Sequence, residues 1–155
     1  MTLTITDIIT KIQHNKTEFG ITLYDKASSK DITDFEEVIG VKLPDDIKTF
    51  YSFCNGFESA EDSFRIIPLD EIIYNSGRDN HVVNKKDFYI AEYMVYCDMW
   101  TLSVNPQNSN GYTIYNMVEN AVVLTDSFAA FLDVFLNGGV FEGLYDWRER
   151  IEANR

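Results

Sequence analysis

The chain has 155 residues, 45% of them hydrophobic and 14% aromatic, which is enough for one ordinary hydrophobic core and too little for two comfortable domains. We therefore predict a single domain over residues 1–155. The formal net charge is −12, from 25 acidic and 13 basic residues. This charge argues against binding to nucleic acid or to an anionic membrane, because both reward positive charge, and it suits a basic protein partner.

The N-terminal sequence lacks a basic region followed by an uninterrupted apolar one, and no apolar run approaches the length that crosses a bilayer. These patterns predict a cytoplasmic protein. Cys54 and Cys97 are far apart and no CxxC pair occurs, so we expect two thiols rather than a disulfide or a zinc site.

The first predicted helix covers residues 4–16. Four isoleucines recur there at helical spacing, and Thr4 with Asp7 matches a capping-box pattern. Residues 19–23 alternate only weakly between apolar and polar side chains, so this segment is predicted to be a poor strand or irregular. A polar, serine-containing connection over residues 25–30 follows it.

A pair of helices is predicted over residues 31–57. Asp31 is the expected N-cap of the first helix, and Gly40 is expected to end it in a left-handed conformation. Pro44 is expected at the first position of the second helix, where its missing N–H is not needed. The apolar face of that second helix consists of Ile47, Phe50, Tyr51 and Cys54, and Asn55-Gly56 ends it.

Strands dominate the next part of the chain. The acidic residues 58–62 are predicted to form a loop, residues 64–67 a short strand, residues 69–74 a short helix and residues 78–87 a surface loop. Strands are then predicted at 88–95, 99–104, 112–117 and 121–124, joined as an antiparallel meander because their connections are short.

One strand indicates how the sheet is covered. Trp100, Leu102 and Val104 alternate with Thr101 and Ser103, which predicts one apolar face under helices and one polar, uncovered face. A strongly apolar helix follows, with Phe128, Phe131, Leu132, Phe135 and Leu136 on one side, and the tail from residue 141 is predicted to form a final helix. The predicted class is α+β, an antiparallel meander sheet with helices packed on one face.

These elements carry a resemblance to a known family. The run Phe35-Glu36-Glu37, Gly40, Leu43-Pro44, Phe50 and Asn55-Gly56 resembles the Smi/Knr-like family of the SUKH superfamily, in which a Phe-Glu helix ends at Gly and Leu-Pro opens a second helix ending at Asn-Gly. Later segments agree in order: Ile67-Pro68-Leu69, Ile90-Ala91-Glu92, Ser127-Phe128 and Phe131-Leu132. The resemblance covers roughly residues 30 to 137. Ile47 and Phe57 depart from the family pattern.

The resemblance implies a non-enzymatic role. Bacterial members are typically immunity proteins that neutralise a toxin, and fungal relatives regulate cell-wall synthesis and signalling. Our leading hypothesis is therefore an immunity protein that binds a basic toxin such as a nuclease. The alternatives are an intracellular regulatory or scaffolding module and a small-molecule-binding domain with a pocket between sheet and helices.

The expected partner-binding surface combines the uncovered polar face of the sheet with the acidic loop. The residues predicted to form it are Glu58, Glu61, Asp62, Glu92, Asp98, Thr101 and Tyr115. Negative charge on such a surface would accelerate association with a basic partner.

Candidate catalytic and metal-binding residues are few. His14 and His81 are the only histidines, and neither has a neighbour at ligand spacing. Cys97-Asp98 lies at a predicted turn without a nearby base. The acidic residues 58–62 lack the spacing and the glycine of a calcium loop, and no phosphate-binding glycine loop occurs. We therefore predict no enzyme activity, no metal and no cofactor.

Overall fold

The computed structural model describes residues 2–78 and 81–155, which form a seven-stranded antiparallel sheet surrounded by helices. Each strand pairs with its neighbours in sequence, so the spatial order is the chain order. The strands are β1 (Ile21–Leu23), β2 (Phe57–Ser59), β3 (Phe64–Ile66), β4 (Phe88–Tyr93), β5 (Asp98–Val104), β6 (Tyr112–Met117) and β7 (Ala121–Thr125). The predicted α+β class with an antiparallel meander is confirmed.

Six α-helices flank the sheet in the described part of the chain: α1 (Ile5–Asn15), α2 (Ser29–Ile39), α3 (Asp45–Phe53), α4 (Leu69–Asn75), α5 (Phe128–Gly138) and α6 (Asp146–Ala153). A π-helical segment, Gly139–Tyr145, joins α5 to α6. The resulting helical stretch of 26 residues is long and apolar enough to cross a membrane by length and composition alone, contrary to the expectation that no apolar run approaches that length. Much of its apolar surface is buried in the core of the domain.

The helix ends follow from local side-chain chemistry. Thr4 and Asp7 form the predicted capping box at α1, with bonds of 3.1 and 3.0 Å. Helix α2 starts earlier than predicted: Ser28 is its N-cap, and Asp31 is the third helical residue whose carboxylate accepts the Ser28 N–H at 2.8 Å. Asp31 was mistaken for the cap because both members of a capping box are good N-cap residue types. Gly40 ends α2 with φ of +83°, as predicted.

The core lies between one face of the sheet and helices α1, α3 and α5. Aromatic rings fill it: Phe64 stacks on Phe135 with centroids 4.0 Å apart, and Trp100 meets Phe64 edge-on at 5.6 Å. Phe50 of α3 contacts Phe128 of α5 at 5.0 Å. These rings are almost fully buried, so they account for a large share of the apolar area that stabilises the fold.

The second face of the sheet is covered as well, so the predicted uncovered face is wrong. Tyr89, Thr101 and Tyr115 lie side by side there on β4, β5 and β6. The backbone of the connection before β4 runs over them: the Val83 N–H donates to the Tyr115 hydroxyl at 2.9 Å, and the His81 N–H donates to the Tyr89 hydroxyl at 2.9 Å. The predicted surface loop 78–87 thus covers the sheet; its residues 79 and 80 lie outside the described residues.

A second correction concerns the acidic patch predicted as a loop. Glu58 lies in strand β2, between β1 and β3, with Thr22 and Arg65 as its register partners. Only residues 60–63 form the turn. Phe57 and Ser59 face the core, and a single three-residue alternation among acidic residues gives a weak strand pattern in the sequence.

Candidate functional site

Three hairpin turns lie at one end of the sheet. Ser59 pairs with Phe64, Phe64 with Tyr93, and Tyr93 with Asp98, so the turns after β2 and β4 are neighbours. The register of β5 with β6 brings the turn after β6 to the same end. The Phe141 ring of the π-helical segment packs edge-on against Tyr93, with centroids 5.7 Å apart. We call this surface, formed by residues 60–63, 94–98, 118–120 and 139–142, the hairpin end.

The hairpin end exposes large apolar side chains. Val95 is 87% exposed, Phe141 64%, and Met94 and Val118 50% each. Exposed apolar residues that occur singly are ordinary, but several on adjacent turns form a patch of the kind that marks protein-binding surfaces. The geometry therefore singles out this end as a candidate contact surface.

The charge of the hairpin end has a single sign. Its four segments carry the acidic residues Glu61, Asp62, Asp98, Glu119 and Glu142, and they contain no lysine, arginine or histidine. Such a field attracts positively charged partners and repels acidic ones. An apolar centre with acidic neighbours is thus presented to solvent.

The turn between β4 and β5 has an unusual backbone. Met94, Val95 and Tyr96 have φ angles of +50°, +52° and +63°. Left-handed backbone costs roughly 1–2 kcal/mol per non-glycine residue, so surrounding contacts must hold this turn. The Met94 N–H donates to the Ser63 carbonyl at 2.9 Å, and the Cys97 N–H donates to the Tyr93 carbonyl at 2.9 Å.

A charged network anchors the same turn from the second face of the sheet. Arg65 donates through Nε to Glu92 at 2.7 Å and through both terminal nitrogens to Glu71 of α4, at 3.0 and 2.5 Å. The Tyr96 hydroxyl donates to Glu71, and the Tyr96 N–H donates to Glu92 at 3.3 Å. The network thus ties the strained turn to β3 and α4.

The protonation states of this network follow from its contacts. The Arg65 guanidinium lowers the pKa of Glu71, against a smaller opposing effect of burial. Burial, with the bond to Glu71, raises the pKa of Tyr96 to about 12, so its hydroxyl remains a donor at neutral pH. The network is therefore an ion-paired anchor in the neutral range.

Some of the predicted binding residues do lie at the hairpin end. Glu61 is exposed, and Asp62 is half-buried, accepting a bond from Ser59 at 3.2 Å and lying against Gly139. Asp98 is also half-buried, and it accepts the Tyr145 hydroxyl at 2.7 Å, which fixes the π-helical segment to β5. Glu58 is exposed on β2, on the second face of the sheet rather than in the turn.

The other three predicted residues are not at the surface. Glu92, Thr101 and Tyr115 are 3%, 2% and 3% exposed. Their placement on a solvent-facing sheet surface is wrong, because α4 and the connection before β4 cover that face. Glu92 pairs with Arg65, and the Tyr115 hydroxyl donates to Asp87 at 2.7 Å.

Sequence reasoning missed Met94, Val95 and Phe141. The first two were assigned to the end of a strand, where apolar residues are expected, and Phe141 was placed at the start of a helical tail. The available signal was the meander itself, because alternate turns of a meander share one end of the sheet. The π-helical segment reaches that end through tertiary contacts, which leave no pattern in the local sequence.

The cysteines and metal-ligating residues form no further centre in the described ranges. Cys54 and Cys97 are both free thiols, as predicted, and burial raises the pKa of Cys54 to about 12. Within residues 2–78 and 81–155, no three His, Cys, Asp or Glu side chains are grouped as a metal site would require.

The fold defines a class of small α+β domains with a sequential antiparallel sheet and a helix pair before its second strand. The family described as SMI1 / KNR4 family (SUKH-1) matches residues 26–134, and the chain belongs to this family. It is also 31% identical over 121 residues to a Bacillus subtilis (strain 168) protein described as "Uncharacterized protein YnaB"; the match covers 74% of this chain and 81% of that protein.

Proposed function

We propose that this protein is a non-enzymatic binding domain that neutralises a basic protein toxin, acting as an immunity protein in the cytoplasm. The observation that supports the proposal best is the hairpin end, where exposed apolar side chains are accompanied by acidic residues and by no basic ones. Family membership is compatible with this role.

Binding would proceed in two stages. The acidic residues attract a basic partner at long range, which raises the association rate. Val95, Met94 and Phe141 then enter an apolar recess of the partner and slow dissociation, since buried apolar anchors at the centre of an interface contribute most of the affinity. The turn that carries Met94 and Val95 is already held in shape, so little conformational entropy is lost on binding.

The first experiment identifies the partner. The purified protein is crosslinked to its partners in a lysate of its source organism, the captured proteins are identified by mass, and each is expressed alone. A captured protein that is toxic alone and harmless with this chain would support the immunity role. Recovery of only non-toxic envelope or signalling proteins would instead favour the regulatory module.

A second experiment tests the surface with that partner. Replacing Val95 and Phe141 together by serine should weaken binding at least tenfold, mainly through faster dissociation. The matched control replaces Val38, which is 56% exposed on α2, and Tyr74, which is 66% exposed on α4, by serine. Equal affinities for the two double variants would show that the hairpin end is not the interface.

A third measurement isolates the charges. Reversing Glu61 and Glu142 to lysine should slow association at low salt and leave dissociation nearly unchanged, and the difference from wild type should shrink as salt rises. An association rate unchanged at low salt would remove these carboxylates from the steering field.

A further inference from the structure

A polar groove lies at the end of the sheet opposite the hairpin end. It runs between the C-terminal end of α2, the residues just before β4 and the β5–β6 connection, and its volume is about 860 Å³. Clefts of this volume commonly hold small molecules. Lys42, Lys85 and Lys86 line it, so we call it the lysine groove.

The lysines of this groove are unusual in so acidic a chain. No carboxylate lies within 4 Å of the Lys85 or Lys86 ammonium in the described ranges, although the sequence has 25 acidic residues. Lys42 has only a long contact of 3.7 Å with Glu36, and its side chain is 72% exposed. The Lys86 ammonium lies over Gly40, two residues before Lys42. Two of the three ammonium groups therefore have no salt-bridge partner in the described ranges.

The carboxylates near the lysine groove are bonded to neutral groups or exposed to solvent rather than paired with Lys85 or Lys86. Asp87 is 8% exposed, and its Oδ2 accepts the Tyr115 hydroxyl at 2.7 Å and the Asn84 N–H at 3.0 Å. Asp45 is hydrogen-bonded to Asn110 through its backbone and side chain. Asp126, which is exposed, is the other carboxylate in the wall. These carboxylates keep their negative charge, but none of them lies within 4 Å of the Lys85 or Lys86 ammonium in the described ranges.

A smaller cavity adjoins the groove across the two lysines. Its volume is about 260 Å³, and it shares Lys85, Lys86 and Asp87 with the groove. Its other lining residues include the apolar Val38, Ile39 and Ile72 and the polar Asn75 and Ser76. The shared lysines thus lie between the groove and a cavity that is partly lined by apolar side chains.

We propose that the lysine groove binds a small organic phosphate, with its charged groups between Lys42, Lys85 and Lys86 and its apolar part in the adjoining cavity. Lysine ammonium groups hold phosphate oxygens as point charges. The side-chain amides of Asn84 and Asn110, which also line the groove, each donate one N–H within the protein, to Ser103 and to Asp45, and have a second N–H for a ligand. This site is separate from the hairpin end and does not depend on the proposed partner.

The test titrates the purified protein with magnesium-free ATP as the probe. We expect ATP to raise the melting temperature and to give saturable heat in calorimetry, since a ligand that prefers the folded state stabilises it. Replacing Lys85 and Lys86 together by glutamine should weaken ATP binding at least tenfold. The matched control replaces Lys16 and Lys26, which are exposed and have no ion pair, by glutamine and should bind as wild type.

Two results would overturn the proposal. One is the absence of any saturable response to ATP at millimolar concentration. The other is an equal loss of binding in both double variants, which would show that the affinity for ATP depends on the net charge of the protein rather than on the lysines of this groove. Circular dichroism of each variant without ATP confirms that it is folded, and Lys42→Gln provides a further variant outside the Lys85–Lys86 pair.

Discussion

Gly56 shows how one residue can be required by backbone packing alone. Its φ is +91°, and a Cβ built on it would lie 2.3 Å from the Ile66 carbonyl oxygen. The helix pair ends here and the chain enters β2, so any side chain would push β2 away from β3. The Asn55-Gly56 sequence that ends the helix pair is therefore also a point of close backbone approach to β3.

Gly56→Ala should destabilise the protein by more than about 1 kcal/mol, because the new methyl group meets backbone atoms and the positive φ disfavours any L side chain. The free energy of unfolding is measured in denaturant. Gly77→Ala is the control: no atom lies within 4 Å of its Cβ position, and we expect a change within about 0.5 kcal/mol. Similar values for the two variants would contradict the packing described for Gly56.

At the scale of elements, the β4–β5 hairpin depends on residues far from it in sequence. Tyr96 is bonded to Glu71 of α4 and to Glu92 of β4, and Arg65 of β3 joins the two carboxylates. Hydrogen bonds to charged groups contribute about 1.5–3 kcal/mol each, enough to offset part of the strain of the turn. The turn is thus kept in shape by its neighbours.

Tyr96→Phe should leave the fold intact and loosen the turn. Loss of the bond to Glu71 is expected to increase amide exchange at Cys97, whose N–H closes the turn, by about tenfold or more, since a 1.4 kcal/mol loss corresponds to a factor of ten. Tyr74→Phe, on the exposed side of α4, serves as the reference variant. Unchanged exchange at Cys97 in Tyr96→Phe would mean that the hydroxyl does not hold the turn.

The same network predicts a pH dependence. Arg65 lowers the folded-state pKa of Glu71 below its unfolded value, so the stability from this pair is complete above the unfolded pKa, near 4.5, and is lost as pH falls through the folded pKa. Glu71→Gln should therefore be less stable than wild type at pH 7, and the difference should shrink below about pH 4.5. A difference that is constant between pH 7 and pH 3 would contradict the ion pair.

Element order, the long strands and the three-residue β3 could be read from the sequence, whereas β1 and β2 could not. Strand β6 is found at the predicted residues 112–117, and Gly40 ends α2 as expected. Strands β1 and β2 have three residues each, as β3 does, but no proline closes them as Pro68 closes the β3 segment; β1 was therefore rated weak or irregular and Glu58 was assigned to a loop. Glu92 and Thr101 were wrongly placed on an exposed face of the sheet. That face is covered by α4 and by the connection before β4, and this tertiary packing has no pattern in the local sequence.

Across the whole molecule, charge is unevenly distributed. The hairpin end contains acidic residues and no basic ones, while three lysines line the groove at the opposite end. The total remains strongly negative at −12. Self-repulsion of this kind destabilises the compact state and is weakened by salt.

The melting temperature should therefore rise as sodium chloride is increased from about 10 mM to about 300 mM, because screening at these concentrations shortens the range of repulsion from tens of ångströms to below about 10 Å. The melting temperature at each salt concentration is measured by differential scanning calorimetry at fixed pH. Repeating the series with potassium chloride controls for specific ion binding. A falling melting temperature would show that ion pairs such as Arg65–Glu71 outweigh the repulsion.

The strictly sequential strand order has a kinetic consequence. Every β-pairing joins strands that follow each other along the chain, and most are connected by only a few residues. Closing short loops costs little entropy, so neighbouring strands can pair one after another before any long loop is closed. The longer closures are those from β1 to β2, which contains α2 and α3, and from β3 to β4, which contains α4. The four strands from β4 to β7 can therefore form a folding nucleus onto which the earlier strands are added.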